Sequence, residues 1–314
     1  MTGLWLIVAV APLASASTSW NFTVKVGLPA DLVTEYGGLP ALENDVNSQL
    51  ATVSSRFSGF AAPILFQANQ FYVYSDDPAT ELSVPHPGSD FLLLYSEASG
   101  ASGGWYGTDQ AILHDWPTSM GGVFAAYATD GLTHEFGHSR GAVDLYEESV
   151  TAANNPVSAT SFNAPTSIMN YPYGVTTWDR YTIGIINHSN TTIYQGAPVV
   201  DASFPPMRVL VKSSSGVAVA GATVSLYPES WGAQIVQTTS VMSGTTSSAG
   251  YFSLKSNPFK PGIANEPWNL VAPNFVVKAT KNGHIGYGWL PLTTVGAWYF
   301  QHPGTTYTLV VKEK

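Results

Sequence analysis

His134-Glu135-Phe136-Gly137-His138 places two imidazoles four residues apart. On a helix that spacing puts both rings on one face, where both can reach a single ion. Zinc suits such nitrogen ligands: it acidifies a coordinated water and polarises a carbonyl. Glu135 cannot easily join the two histidines as a ligand. It can stand beside the water, take its proton and later return it to a leaving amine. Gly141 lies three residues beyond His138, where the helix must end and the chain turn back. Glycine permits the left-handed conformation such a turn needs. Asp144 follows three residues later, where the returning chain can offer a third ligand; Glu147 and Glu148 are the next candidates. Two imidazoles and a carboxylate leave a less positive site than three imidazoles, so such a site acidifies its water less.

The pattern His-Glu-x-x-His-x-x-Gly-x-x-Asp over 134–144 resembles the metzincin metallopeptidases, whose long motif usually ends in a third histidine. With Asp144 in that place it is similar to the snapalysin-type members. The text His134-Glu-Phe-Gly-His-Ser139 also resembles bacterial immunoglobulin-A-peptidase-like metzincins. Ser167-Ile168-Met169-Asn170-Tyr171, with Met169 25 residues past Asp144, resembles the family's Met-turn. The resemblance implies an apolar methionine floor beneath zinc. It also implies a role for Tyr171, which matches the tyrosine that ligates zinc at rest in astacin-like and serralysin-like members and then bonds the oxyanion. The fold implied is an α+β catalytic domain, a twisted mixed sheet with an active-site helix. The activity implied is that of an endopeptidase on polypeptide substrate, with an edge strand, Val123 to Tyr127, pairing with extended peptide in a shallow cleft.

These residues need elements to position them. Asn21 to Gly27 alternates as a strand does, and Leu42 to Phe57 has helical spacing through Leu42, Val46, Leu50 and Val53. Ile64 to Tyr74 is strand-like, and Phe91 to Tyr95 is a continuous apolar run of the kind found in a buried strand. Asp130 to Arg140 reads as the helix that carries the motif. Gly196-Ala-Pro198 and Pro205-Pro206 bracket a predicted linker. Beyond it come short strand candidates at Met207–Lys212, Ala222–Tyr227, Tyr251–Leu254, Asn274–Ala279 and Tyr307–Lys312, separated by Gly, Ser and Thr turns. That is an all-β sandwich pattern. Gly221 to Tyr227 and Ser248 to Phe252 resemble carboxypeptidase-regulatory-like or transthyretin-like sandwich domains. Residues 17–200 are thus predicted to form the catalytic domain and 201–314 a β-sandwich accessory domain, which can bind substrate or a surface. Charge changes at the same place: residues 1–200 hold four Lys+Arg and 17 Asp+Glu, residues 201–314 eight and four.

Composition narrows the classes further. The 314 residues are 45% hydrophobic and only 11% charged, against about 25% in an ordinary soluble protein. The net charge of −9 excludes a general nucleic-acid binder. The absence of cysteine excludes a disulfide scaffold, a thiolate metal site and a Cys nucleophile. Leu4 to Leu13 followed by Ala14-Ser15-Ala16 reads as a signal peptide over 1–16, so the protein is expected to be secreted, with no stable membrane insertion and no long inhibitory propeptide within this chain. His86, His114, His188, His284 and His302 lack ligand spacing, and Asp76-Asp77 before Pro78 reads as a turn rather than a clear Ca²⁺ motif. Two other function classes remain beside the peptidase. One is a non-catalytic secreted adhesin or binding protein on a metzincin-like scaffold, against which the intact Glu135 speaks. The other is a zinc hydrolase for a non-peptide bond.

Overall fold

The computed structural model describes residues 18–75, 77–99, 103–104, 109–115, 122–189, 204–260 and 272–314. The predicted signal peptide and the Gly196–Pro198 part of the linker lie outside the described residues. The molecule mixes helices with several sheets. Its first half runs β1 (Trp20–Pro29), α1 (Ala30–Glu35), α2 (Leu39–Arg56), β2 (Ile64–Tyr74), α3 (Pro78–Glu81), β3 (Phe91–Ser99), β4 (Gly103–Gly104), β5 (Gln110–Asp115), α4 (Ala126–Ser139) and α5 (Arg180–Ser189). The strands form one mixed sheet in the order β2-β1-β3-β5-β4, parallel except for β4, which runs antiparallel along the edge of β5. Alternation sends Phe22, Val24, Val26 and Leu28 of β1 inward. The predicted apolar run of β3 is buried on both faces. One face of the sheet packs against α2, through Leu42, Val46, Leu50 and Val53, and against α4, through Ala128, Leu132 and Phe136. Tyr74, Leu92, Leu94 and Ile112 cluster on the other.

Val123 to Tyr127 is not a strand. Val123 and Phe124 lie in a turn after Gly122, and Ala126 and Tyr127 already belong to α4. Val123 is fully buried and its carbonyl accepts a hydrogen bond from Gln49, so its apolar side chain serves the core rather than a ladder. The antiparallel edge beside α4 is β4 instead.

The second half contains β6 (Met207–Lys212), β7 (Thr223–Ser230), β8 (Ile235–Val236), β9 (Met242–Thr245), β10 (Tyr251–Ser253), β11 (Asn274–Lys281), β12 (His284–Pro291), α6 (Leu292–Gln301) and β13 (Tyr307–Lys312). One sheet is ordered β10-β6-β13; the other is β12-β11-β7-β8, with β9 also on β7. All five predicted strand cores are present. The all-β expectation misses α6, whose Thr-Thr-Val and aromatic residues favour extended chain. Tertiary contacts override that preference. The backbone N–H and hydroxyl of Thr293, in the first turn of α6, both donate to the buried Glu148 carboxylate. The inward faces of the two sheets, among them Val209, Val311, Leu226 and Val277, share one hydrophobic cluster. That cluster also takes in Ala142, Val143, Leu145, Ile168, Met169, Tyr181 and Ile185, so the segment after α4 packs in the same core as the sheets. No helix among the described residues is long and apolar enough to cross a membrane.

Candidate metal centre

Helix α4 ends where the sequence predicts. Gly141 has φ +90°, and its N–H donates to His138 O (2.8 Å) while Ala142 N–H donates to Gly137 O (3.0 Å). This turn brings the chain back across the helix face that carries the histidines. His134 Nδ1 donates to Ile168 O at 2.9 Å, and His138 Nδ1 to Ala142 O at 3.0 Å. A carbonyl only accepts, so each ring in its neutral form keeps its proton on Nδ1 and presents the Nε2 lone pair. The two Nε2 atoms lie 3.1 Å apart, and Asp144 Oδ1 lies 3.0 and 3.2 Å from them. An ion bound tetrahedrally at ~2.0–2.1 Å spaces its ligand atoms by about 3.3 Å. The three atoms therefore form one face of such a site, and the group can hold a metal ion. Both imidazoles are buried.

The electrostatics favour a cation at this point. Burial pulls the His138 pKa down, but the charge and hydrogen bond of Asp144, then the charge of Glu135, push it up to about 9. Burial pushes the Asp144 carboxyl up, but the two imidazoles outweigh it and hold it well below the usual carboxylate range. The Tyr146 phenol lies beside Asp144, and burial together with that carboxylate's charge raises its pKa well above the ordinary value. Glu135, buried on α4, projects its charge onto His138, Tyr146 and Tyr173.

Side chains from distant parts of the chain hold the helix. Asp130 on α4 pairs with Arg56 of α2 at 2.5 Å and accepts from Gly174 N–H at 2.8 Å. Arg56 also donates to Thr133 on α4 (2.9 Å), and its backbone carbonyl accepts from Trp178 Nε1. Arg140, fully buried at the helix end, donates to Ser189 and stacks its guanidinium over Phe22. Met169 is fully buried in a tight turn closed by Asn170 and Tyr171 N–H on Ser167 O. Its sulfur lies against Gly137, where an added Cβ would come within 2.7 Å of Sδ. The motif's second variable position is thus glycine because the methionine sits there.

The structure brings His134, Glu135, His138, Gly141, Asp144 and Met169 together. Glu147 and Glu148 are engaged elsewhere: Glu147 accepts from Gly232 N–H, and Glu148 from Thr293. Tyr171 is 61% exposed and meets Tyr173 edge-on at 5.3 Å; its hydroxyl has no hydrogen-bond partner among the described residues. The phenol beside Asp144 is that of Tyr146, which the sequence reading missed. Its position two residues after Asp144 is a usable signal once Asp144 is placed. Asp77 caps α3 by accepting from Ala79 N–H, as a turn residue does, and His86 pairs with Asp109.

The sequence matches no protein-family model and no curated protein. Among solved structures, one chain of a chaperone–substrate complex has a TM-score of 0.36 at 11% identity, over 55% of this chain and 35% of that one. This chain therefore spans about a third of that protein. Catalytically inactive OgpA from Akkermansia muciniphila, in complex with the O-glycopeptide substrate glycodrosocin, has a TM-score of 0.35 at 12% identity, over 90% of this chain and 95% of that one.

Proposed function

We propose that this protein is a secreted zinc-dependent endopeptidase with a metzincin-like catalytic unit over 17–200 and a β-sandwich unit over 201–314. The observation that carries this reading is the spacing of His134 Nε2, His138 Nε2 and Asp144 Oδ1, all within hydrogen-bonding distance of one another beside Glu135. His134, His138 and Asp144 hold the ion, which when bound acidifies water and polarises the scissile carbonyl. Glu135 takes the proton from the attacking water and passes it to the leaving amine. The hydroxyl that bonds the developing oxyanion is assigned to Tyr146 rather than Tyr171. Its raised pKa keeps the proton in place, and it already stands on the ligand Asp144. Edge strand β4, lying against α4, is the backbone on which extended polypeptide pairs.

The test uses the purified chain with casein and a peptide library, with and without a chelator, beside Glu135→Ala. Cleavage is expected to stop on chelation and to fall about 10²–10⁴-fold in the variant while zinc stays stoichiometric. Stoichiometric zinc with no cleavage by the native chain would instead establish a binding protein on this scaffold.

A further inference from the structure

The turn that carries Met169 serves the metal centre through two consecutive carbonyls. Ile168 O accepts from His134 Nδ1 at 2.9 Å, and Met169 O accepts from Leu145 N–H at 2.8 Å. The first orients a ligand ring. The second ties down the residue next to Asp144. The placing of two of the three candidate ligands therefore depends on how firmly these two peptide groups are held. A peptide group is planar, so fixing its N–H aims its C=O. Ser167 fixes both. Its hydroxyl accepts from Met169 N–H at 3.2 Å, in the same peptide group as Ile168 O. Its carbonyl accepts from Asn170 N–H at 3.0 Å, in the same peptide group as Met169 O.

Ser167 is itself held by Asp179. The Ser167 hydroxyl donates to Asp179 Oδ2 at 2.8 Å and accepts from Asp179 N–H at 3.3 Å. The other carboxylate oxygen, Oδ1, caps α5 by accepting from Tyr181 N–H at 2.9 Å and Thr182 N–H at 3.0 Å. All three partners of the carboxylate are donors, so the position needs an acceptor at both oxygens. Both side chains are buried, where a hydroxyl that loses its acceptor finds no water to replace it. We infer that Ser167 and Asp179 are positioning residues of the metal centre. They link the capped end of α5 to the carbonyl that orients His134 and to the one that holds the chain beside Asp144. The inference rests on the metal reading of His134, His138 and Asp144.

The test compares the native chain with Ser167→Ala, Asp179→Asn and the double variant. Zinc affinity is read by competition with a chromophoric chelator, ligand geometry from the visible spectrum of the Co²⁺-loaded protein, and stability from melts of the metal-free forms. Asp179→Asn leaves an oxygen to cap α5 but turns an N–H₂ towards a hydroxyl that already accepts two N–H groups. Each single variant is expected to bind zinc about 10–100-fold more weakly and to shift the Co²⁺ spectrum. The double variant should lose no more than the weaker single, because both residues act through one link. Should Asp179→Asn fail to fold, Ser167→Ala, which leaves the α5 cap intact, decides alone. A lower melting temperature with unchanged zinc affinity and Co²⁺ spectrum overturns the inference, and so do losses that multiply in the double variant. A native chain that binds no zinc sinks the metal reading itself; native binding with unaltered variants sinks only the roles of Ser167 and Asp179.

Discussion

Helix α4 is held differently on its two sides. Towards the sheet, regular elements meet it: Ala128, Leu132 and Phe136 pack with α2 and the strands in one continuous core. Towards the two-sheet half, it meets an irregular segment, 142–148, ordered by contacts from far along the chain. Leu145 N–H donates to Met169 O, Gln234 to Tyr146 O, Gly232 N–H to Glu147, and Thr293 to Glu148. The spacing of His134 and His138 is therefore set by local helical geometry, while Ile168 O from the irregular side orients the His134 ring. Asp144 lies in a segment tied down by contacts that reach 145 places along the chain, from Glu148 to Thr293. The half beyond residue 200 is part of what keeps the segment carrying Asp144 in place, and loss of its contacts should be felt first at Asp144.

The largest expected effect acts on the irregular side, through Glu148. Burial raises its pKa from 4.5 to about 8, against the opposing hydrogen bonds from Thr293, and the charge of Asp179 adds to the rise. A carboxyl with a raised folded pKa contributes stability that is complete below its unfolded pKa and is lost as pH rises to the folded value. At about 1.4 kcal/mol per pH unit between 4.5 and about 8, the loss amounts to roughly 5 kcal/mol. Glu148→Gln keeps acceptor capacity and cannot ionise. Thermal melts of the two proteins across this window should therefore diverge, the native chain falling relative to the variant as pH rises. Parallel melting curves would show that burial does not hold the Glu148 carboxyl protonated in the folded chain. On the regular side, Arg56→Ala strands the buried Asp130 and removes the donor to Thr133. Such a break costs about 3–5 kcal/mol. Urea midpoints should show it as a loss of global stability, because the helix belongs to the sheet's core. A stable Arg56→Ala protein that has lost only its metal affinity would reverse the assignment of the two sides.

The same division explains what the sequence made legible. The histidine spacing and the glycine stop announced α4 and its end, though the helix starts at Ala126, four residues before the predicted Asp130; alternation announced β1, which runs two residues beyond the predicted Gly27, and β6 and β13 have their predicted bounds. The contiguous run in β3 was readable because a strand buried on both faces has no polar positions. Val123 to Tyr127 misled because four apolar residues fit a strand or a buried approach to a helix equally well, and only the Gln49 bond to Val123 decides. Helix α6 was hidden because its composition favours strand and its first turn depends on Glu148. Among the candidate site residues, the histidines, Glu135 and Gly141 were legible from spacing, and Met169 from the resemblance of its turn. Tyr146 did not, because its contact with Asp144 exists only after the segment has folded against Gln234 and Gly232.

The two sides meet at Gly137, and the smallest expected effect on stability is also the sharpest test of the comparison. A Cβ there would approach Met169 Sδ at 2.7 Å and the Trp178 ring at 3.2 Å. Met169 belongs to the core on the irregular side, and Trp178 packs against both cores. Overpacking of this kind costs about 1–3 kcal/mol, and the higher helix propensity of alanine returns up to ~1 kcal/mol. The net change in melting temperature should be small. The displaced methionine, however, moves the turn whose Ile168 carbonyl orients His134. Support of this type is worth about 10–100-fold in metal affinity. Gly137→Ala should accordingly lose zinc in competition with a chelator while staying folded. Adding Met169→Ala, which makes room for the new methyl group, should restore part of the affinity. If Gly137→Ala binds zinc as tightly as the native chain, or the second change restores nothing, the methionine does not transmit order from one core to the ligands on the helix.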